Sequence, residues 1–190
     1  MAITVAIESP LQDDVRQLIG ELNQALLALT PAEFCYHMTA EEMASPDTTV
    51  FVAREDGAAV ACGALRRHDG GIGEVKRMYT RPSYQGRGIG GRILEAIETL
   101  ARAQGISRLV LETGDRHPAA WRVYERSGFE RCGAVLDYPD SGYSVFYAKT
   151  LAAGVRSDVM PAQAGTHATL RQLPPSGVDP RLRGDDEVWS

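Results

Sequence analysis

A glycine-rich turn at residues 85–91 contains the residue types that most directly indicate chemistry in this chain. Its sequence is QGRGIGG, in which four of the seven residues are glycine. Because glycine has no Cβ, the backbone of such a turn can lie close to a ligand. An amphipathic helix starts within the turn, so the positive end of its dipole faces the glycines. These features together predict a binding site for a phosphate or pyrophosphate group.

The elements that position this turn are a strand before it and a long helix after it. Residues 72–79 read as a strand of a central sheet. The helix carries apolar residues on one stripe, at Ile89, Ile93, Ile97 and Leu100. Gly105 is the expected C-cap of that helix.

The rest of the sequence predicts further short strands and helices on either side of this unit. The predicted strands cover residues 3–7, 49–54, 58–66, 108–112, 129–134 and 143–151. The predicted helices begin at Ser9–Pro10, near residue 40 and at His117–Pro118. The order of these elements indicates an α/β (α+β) fold, with a mixed, mostly antiparallel sheet of 6–7 strands flanked by about four helices.

Composition and charge narrow the class of protein. The chain has 190 residues, of which 44% are apolar, and its formal net charge of −5 argues against a nucleic-acid partner. The three cysteines form neither a disulfide framework nor a zinc pattern, so we expect a reducing compartment and no metal. The sequence shows no signal peptide and no apolar run of membrane-spanning length, so we expect a cytoplasmic location and no membrane partner.

The composition changes near residue 152. Residues 1–151 are predicted to form one domain, and residues 152–190 are predicted to be a disordered tail because they are rich in glycine and proline and show no periodicity. A tail that binds a partner or wraps around a second subunit is the alternative.

A dinucleotide-binding fold is the first alternative for the glycine turn. Gly86, Gly88 and Gly91 match G-x-G-x-x-G, and Glu112 ends the next strand about 20 residues on. However, residues 80–85 separate the strand from the first glycine, and too little chain remains downstream for the further βα units of that fold. We therefore favour a different reading.

Two blocks of sequence resemble the GCN5-related N-acetyltransferase (GNAT) superfamily. Residues 85–90, QGRGIG, resemble its Q/R-x-x-G-x-G/A motif. Residues 120–129, AWRVYERSGF, are similar to its closing A-x-x-x-Y-x-x-x-G-F helix and strand. The resemblance spans residues 3–151 and is closest to small bacterial members with E-(V/L/I)-K-x-M before the turn and L-E-T-G after the helix. It implies acetyl-CoA as the co-substrate.

The resemblance also implies which residues contact acetyl-CoA. Backbone N–H groups of the turn would hold the pyrophosphate, and the strand at Met78 and Tyr79 would bond the pantetheine arm. The N–H near Met78 would polarise the thioester carbonyl. Arg87 and Arg92 are expected either to add charge at the phosphates or to be solvated. The full set of implied contacts is Met78, Tyr79, Gln85, Gly86, Arg87, Gly88, Ile89, Gly90, Gly91, His117 and Ala120.

Glu74 is the expected general base by the same resemblance, since some members place their catalytic glutamate at this point of the strand. An alkyl amine is mostly protonated at neutral pH, and a nearby carboxylate can take its proton, directly or through water. Asp137 and Glu112 are weaker alternatives. The competing interpretation of Glu74 is an exposed strand residue paired with Lys76 or Arg77.

Tyr124 matches the tyrosine that family members place near the coenzyme sulfur, so we expect it to act as the general acid. A tyrosine that only packs in the core is the alternative. His117 stands where many relatives have asparagine, so that contact differs from the family pattern. Four residues in variable segments are candidates for the acceptor pocket: Tyr36, His37, Tyr138 and Tyr143.

The sequence therefore predicts an N-acetyltransferase that moves acetyl from acetyl-CoA to a primary amine, by direct attack in a ternary complex. The acidic balance and small size favour a small-molecule amine as the acceptor. The alternatives are a protein N-terminal or lysine acetyltransferase and a non-catalytic acyl-CoA-binding sensor. Many family members dimerise, so a homodimer is among the expected partners.

Overall fold

The computed structural model describes residues 2–29, 31, 38–139 and 142–152, which form a seven-stranded sheet with helices on both faces. The strands are β1 (Ile3–Ile7), β2 (Thr48–Glu55), β3 (Ala58–His68), β4 (Ile72–Thr80), β5 (Arg108–Gly114), β6 (Glu130–Cys132) and β7 (Ser144–Thr150). Four helices are found among these residues, α1 (Asp13–Leu27), α2 (Ala40–Met43), α3 (Ile89–Ala103) and α4 (Pro118–Arg126). The predicted fold class is confirmed.

The strand order β1-β2-β3-β4-β5-β7-β6 places β4 and β5 side by side in the middle of the sheet. β4 and β5 pair parallel to each other, and the other neighbouring strands pair antiparallel. The parallel pairing covers only Ile72–Glu74 against Arg108–Val110. Since β4 continues to Thr80 and β5 to Gly114, the two strands run on beyond their pairing. We call this unpaired stretch the β4–β5 opening.

Side chains alternate between the two faces of the sheet, and each face has its own apolar core. Helix α3 packs on one face, which we call the α3 face, through the buried residues Ile89, Ile93 and Ile97. Helix α1 packs on the other, the α1 face, through Val15, Leu18 and Leu22.

The alternation also assigns the polar residues beside the β4–β5 opening to one face. Val75 on β4 and Leu111 on β5 belong to the core of the α3 face. Their strand neighbours Glu74, Lys76 and Glu112 therefore point to the α1 face.

A β-bulge interrupts β4 just after these polar residues. The register of β3 and β4 shifts between Cys62 and Ala64, and Arg77 has a φ of 55°, which a residue with a side chain rarely adopts. The Arg77 side chain is 2% exposed, and its guanidinium donates hydrogen bonds to Asn23 Oδ1 and to the Ile19 carbonyl of α1. Contacts with α1 thus accompany the irregular backbone of the bulge.

The predicted start of the first helix is wrong. Helix α1 begins at Asp13, after an N-cap at Gln12 that has no side-chain hydrogen bond. Ser9 instead accepts a hydrogen bond from the Leu11 amide at 3.2 Å, so its hydroxyl satisfies a local turn and not the helix.

The predicted ends of two helices are confirmed. Gly105 and Gly128 follow α3 and α4 with φ of 74° and 81°, as expected of glycines that end helices. No helix among the described residues is long and apolar enough to cross a membrane. Residues 153–190, the greater part of the predicted tail, lie outside the described residues.

Candidate active site

Two glycines of the glycine turn have left-handed backbone conformations. Gly86 and Gly88 both have φ of 72°, and Gly88 is the N-cap of α3. A Cβ added at Gly88 or Gly91 would meet no atom within 4 Å, so the space beside these glycines is open. A groove of about 480 Å³ lies there, between α3 and the end of α4. An open groove of this kind at a helix N-terminus fits a phosphate-bearing ligand.

The two arginines of the turn region bond to the protein itself. The Arg87 guanidinium donates to both carboxylate oxygens of Glu55 and lies 5.4 Å from the centre of the Tyr84 ring. Arg92 Nη2 donates to the Ile3 carbonyl at 2.8 Å. Of the two, Arg92 lines the groove.

Sequence reasoning missed two further cations that line the groove, Arg126 and Lys149. Lys149 Nζ donates to Glu98 Oε1 at 2.5 Å. Lys149 comes from β7, far from the turn in sequence, so only the strand order brings it to the groove. Arg126 lies within the A-x-x-x-Y-x-x-x-G-F block, and the helical spacing of that block could have predicted its place beside the groove.

Met78 and Tyr79 lie on β4 where it runs along the opening. Met78 is fully buried and Tyr79 is 4% exposed. The Tyr79 hydroxyl donates to Glu21 Oε2 of α1 at 3.3 Å, and burial raises its pKa to about 12. Because the pairing of β4 with β5 ends at Glu74, the backbone at Met78 has no β5 partner in the described sheet.

Glu74 is buried at the point where β4 and β5 part, with 2% of its surface exposed. Its Oε1 accepts hydrogen bonds from Lys76 Nζ at 3.0 Å and from the Tyr138 hydroxyl at 2.6 Å. Its Oε2 lies 2.9 Å from His68 Nε2. The interpretation of Glu74 as an exposed residue is wrong, although its pairing with Lys76 is found.

These contacts set the charge of Glu74. Burial acts to raise the pKa of its carboxyl, but the charge of Lys76 and the hydrogen bonds from Tyr138 and His68 outweigh it and lower the pKa. The carboxylate is therefore ionised at neutral pH, and both of its oxygens have partners.

Glu112 faces the same side of the sheet from β5. Its Oε1 accepts a hydrogen bond from the Ser144 hydroxyl at 2.6 Å. Burial raises the pKa of Glu112, and the neighbouring negative charge of Glu74 adds to the rise. A carboxylate whose pKa is raised is the stronger base. Asp137, the other alternative, is exposed.

Tyr124 lies on α4 and is 1% exposed. Its ring packs 6.0 Å from that of Phe129 and 5.9 Å from that of Tyr147, centre to centre. Burial and the nearby charge of Glu112 raise its pKa well above the usual value. The hydroxyl is therefore protonated at neutral pH, so core packing and proton donation are compatible at this residue.

His117 and Ala120 stand at the start of α4. His117 is the N-cap and is 4% exposed, and its carbonyl accepts the Trp121 amide at 3.2 Å. Ala120 is fully buried in the same core as Tyr124. His117 thus has the helix-start position that its place before Pro118 predicts.

A second cavity, of about 370 Å³, adjoins Glu74 on the α1 face, and we call it the polar cavity. Its lining residues are Met38, Glu42, Ser45, Asp47, Arg66, Lys76 and Tyr138. Two of them, Lys76 and Tyr138, also bond Glu74. Tyr138 was expected in the acceptor pocket, whereas Tyr143 is half-buried and does not line this cavity. Tyr36 and His37 lie outside the described residues.

Comparison with known proteins identifies a family for this arrangement. The sequence profile described as "Acetyltransferase (GNAT) family" matches residues 17–129. An "IAA acetyltransferase" of Azospirillum brasilense is 44% identical over 150 residues, which cover 78% of this chain and 98% of that protein.

Solved structures show the same fold. A protein of Klebsiella pneumoniae described as an acyl-CoA N-acyltransferase has a TM-score of 0.68 at 29% identity, covering 79% of this chain and 98% of that one. The PaiA N-acetyltransferase of Thermoplasma acidophilum, solved in complex with coenzyme A, has a TM-score of 0.66 at 17% identity, covering 80% and 100%.

Proposed function

This chain belongs to the acetyltransferase (GNAT) family and is an acyl-CoA-dependent acyltransferase, and on that premise we propose that it transfers acetyl from acetyl-CoA to the primary amine of a small molecule. Acetylation of amines by acetyl-CoA is the general reaction of this family. The proposed transfer is a direct attack of the amine in a ternary complex. The observation that carries the proposal is that Glu74 and Glu112 lie together on one face of the sheet beside the β4–β5 opening, and that two residues lining the polar cavity bond Glu74.

The donor half of the site would be the glycine groove together with the edge of β4. When bound, acetyl-CoA supplies an acetyl group activated as a thioester. The backbone of residues 85–91 and the dipole of α3 would hold its pyrophosphate. The β4 backbone at Met78 would bind the pantetheine arm and polarise the thioester carbonyl.

The acceptor half must move two protons. Forming the amide bond breaks the carbon–sulfur bond, so one proton leaves the amine and one reaches the sulfur. Glu74, with Glu112 beside it on the α1 face, would receive the amine proton. Tyr124, which is protonated at neutral pH, would donate a proton to the thiolate.

The two carboxylates differ in what each can contribute. Glu74 is ionised but has donors on both oxygens, so it would act through Tyr138 or a water. Glu112 has the raised pKa of a better base, and Ser144 holds one of its oxygens. We keep Glu74 as the proposed base, and the comparison of both variants tests that assignment.

Release of free coenzyme A thiol from acetyl-CoA, followed over a panel of amines and amine-bearing peptides, tests the proposal. We expect release that depends on a small amine, and a fall in kcat of about 10²-fold or more in Glu74→Gln. Tyr124→Phe should also lower kcat. Glu130→Gln is the matched control, since Glu130 is exposed on β6 and its side chain makes no hydrogen bond among the described residues.

Each other outcome changes one part of the proposal. A larger loss in Glu112→Gln than in Glu74→Gln would move the base to Glu112. Release that requires a peptide would replace the small molecule by a protein acceptor. Thermal stabilisation by acetyl-CoA without release would favour the acyl-CoA sensor. A cytoplasmic location and a homodimer remain predictions.

A further inference from the structure

Arg66 lines the polar cavity and lies directly across from the proposed base. It stands on β3 opposite Glu74 of β4 in an antiparallel pair, so both side chains project from the α1 face. They do not bond each other. Arg66 Nε donates to Asp47 Oδ2 at 3.0 Å, and neither Nη group has a hydrogen-bond partner among the described residues.

Asp47 holds the Arg66 guanidinium in a fixed orientation. Its Oδ1 accepts hydrogen bonds from the hydroxyls of Ser45 and Thr48, the latter at 2.9 Å, while Oδ2 takes the arginine. The hydrogen bond from Ser45, with further contributions from Thr48 and Arg66, lowers the pKa of Asp47 to about 2. The aspartate stays charged at neutral pH, so the arginine is anchored at Nε while its two Nη groups remain at the cavity.

A guanidinium that offers Nη donors beside a cavity is suited to an oxyanion. Its planar fork matches the two oxygens of a carboxylate, which a lysine ammonium cannot do in the same way. The Arg66 side chain is 39% exposed, so a small molecule in the cavity can reach it.

The cavity therefore contains an anion-binding group, and two of its other lining residues, Lys76 and Tyr138, bond the proposed base Glu74. Glu74 is paired with Lys76, and both Lys76 and Arg66 line the cavity. The cations Arg66 and Lys76 line the cavity together with the carboxylates of Glu42 and Asp47, of which Asp47 is already paired with Arg66. The volume of about 370 Å³ is near the lower limit for ligand sites, which suits one small molecule.

On the basis of the proposed function, we infer that the acceptor is a small amino acid, a primary amine that also carries a carboxylate, and that Arg66 binds the carboxylate while the amine faces Glu74. Acetyl transfer to it forms the nitrogen–carbon bond of the N-acetyl amino acid. The carbon–sulfur bond breaks, and the proton lost by the amine balances the one gained by the coenzyme A thiol.

Matched acceptors test this inference. The rate of coenzyme A thiol release is compared for amino acids, their carboxamides, the corresponding aminoalkyl phosphonates and simple diamines. Each carboxamide keeps the amine and the side chain and loses only the anionic charge. We expect kcat/KM for the acid to exceed that for its amide by about tenfold or more.

Arg66→Gln tests whether this residue makes the discrimination. The ratio of kcat/KM for the acid to kcat/KM for its amide should fall by about tenfold, with most of the change in KM for the acid. Arg66→Lys should restore part of the ratio because it keeps the charge and loses the fork. Arg108→Gln is the control and should leave the ratio intact, since Arg108 is exposed and its side chain makes no hydrogen bond among the described residues.

Equal use of acid and amide by the wild-type protein would overturn the inference without any variant, and the proposed function would stand. A preference that survives in Arg66→Gln, or a preference for diamines, would overturn it as well. Preference for the phosphonate would replace the carboxylate by another oxyanion. If no acceptor reacts, the inference fails, and binding of acetyl-CoA measured by thermal shift shows whether the proposed function fails with it.

Discussion

At the scale of single residues, the site contains two glutamates with the same chemistry and opposite environments. Glu74 and Glu112 are both largely buried on the α1 face. Lys76, Tyr138 and His68 surround Glu74 and lower its pKa, whereas burial dominates at Glu112 and raises its pKa. The two pKa values differ because the carboxylates have different partners within reach, so the two groups take up protons at different pH.

These opposite shifts predict opposite effects of pH on stability. The folded pKa of Glu74 is below the usual value of 4.5, so the stability that the ionised carboxylate contributes is present above that pH and is lost as the pH falls through the folded pKa. Glu74→Gln should therefore lower the free energy of unfolding by about 2 kcal/mol at neutral pH, because Lys76 loses its charged partner. The difference in free energy of unfolding between this variant and the wild type should shrink as the pH falls.

Glu112→Gln should behave in the opposite way. Its folded pKa is raised, so the ionised carboxylate destabilises the fold above that pKa and protonation removes the penalty. The variant should be at least as stable as the wild type at neutral pH and should match it in acid. Urea unfolding of both variants over a pH series measures these free energies. A Glu112→Gln protein that is less stable than the wild type at neutral pH, as Glu74→Gln is expected to be, would contradict the prediction.

At the scale of elements, helix α1 contacts the bulge of β4 and helps to hold its backbone conformation. The bulge interrupts the β4 ladder at Arg77, next to the Met78 amide that is proposed to polarise the thioester. Arg77 adopts its left-handed φ of 55° while its guanidinium bonds Asn23 and Ile19 of α1. Such a conformation persists where surrounding contacts hold it, so α1 contributes to the geometry of a strand it does not pair with.

Arg77→Met tests this coupling, since methionine keeps the apolar stem and loses the hydrogen bonds to α1. We expect the free energy of unfolding to fall by about 2 kcal/mol and kcat to fall more than the KM for acetyl-CoA rises. Asn23→Ala removes one partner from the other side. The effects of the two substitutions should not add in the double variant, and full additivity would show that the contact is not shared.

At the scale of the whole molecule, the sheet separates the two halves of the proposed reaction. The glycine groove lies with α3 and α4 on one side, and the polar cavity lies on the α1 face. The β4–β5 opening, where β4 and β5 are paired over only three residues each, is proposed to connect them. Residues from 38 to 149 contribute to these sites.

A chain that ends after Ala152 should therefore keep its activity. All residues assigned to either half of the site precede Ala152, and β7 is complete at Thr150. We expect kcat/KM and the melting temperature to match those of the full chain, as measured by coenzyme A thiol release and thermal unfolding. A marked loss of either would give residues 153–190 a role in catalysis or assembly.

The sequence alone was sufficient for the features that local interactions determine. The glycines at 86 and 88, the apolar stripe of α3 and the ends of helices at Gly105 and Gly128 depend on residues close in the chain, and all were predicted. Together with the order of elements, they predicted the fold class and the family. The start of α1 was missed because the Ser9 hydroxyl had a competing local partner.

The tertiary structure decided which distant residues share a site. The burial of Glu74, its contact with Tyr138 and the position of Arg66 opposite it follow from strand pairing and packing between segments far apart in sequence. The charge state of a carboxylate depends on such neighbours and on loss of water, neither of which a local pattern contains. For that reason the sequence predicted the residues that could do the chemistry, and only the fold showed what surrounds them.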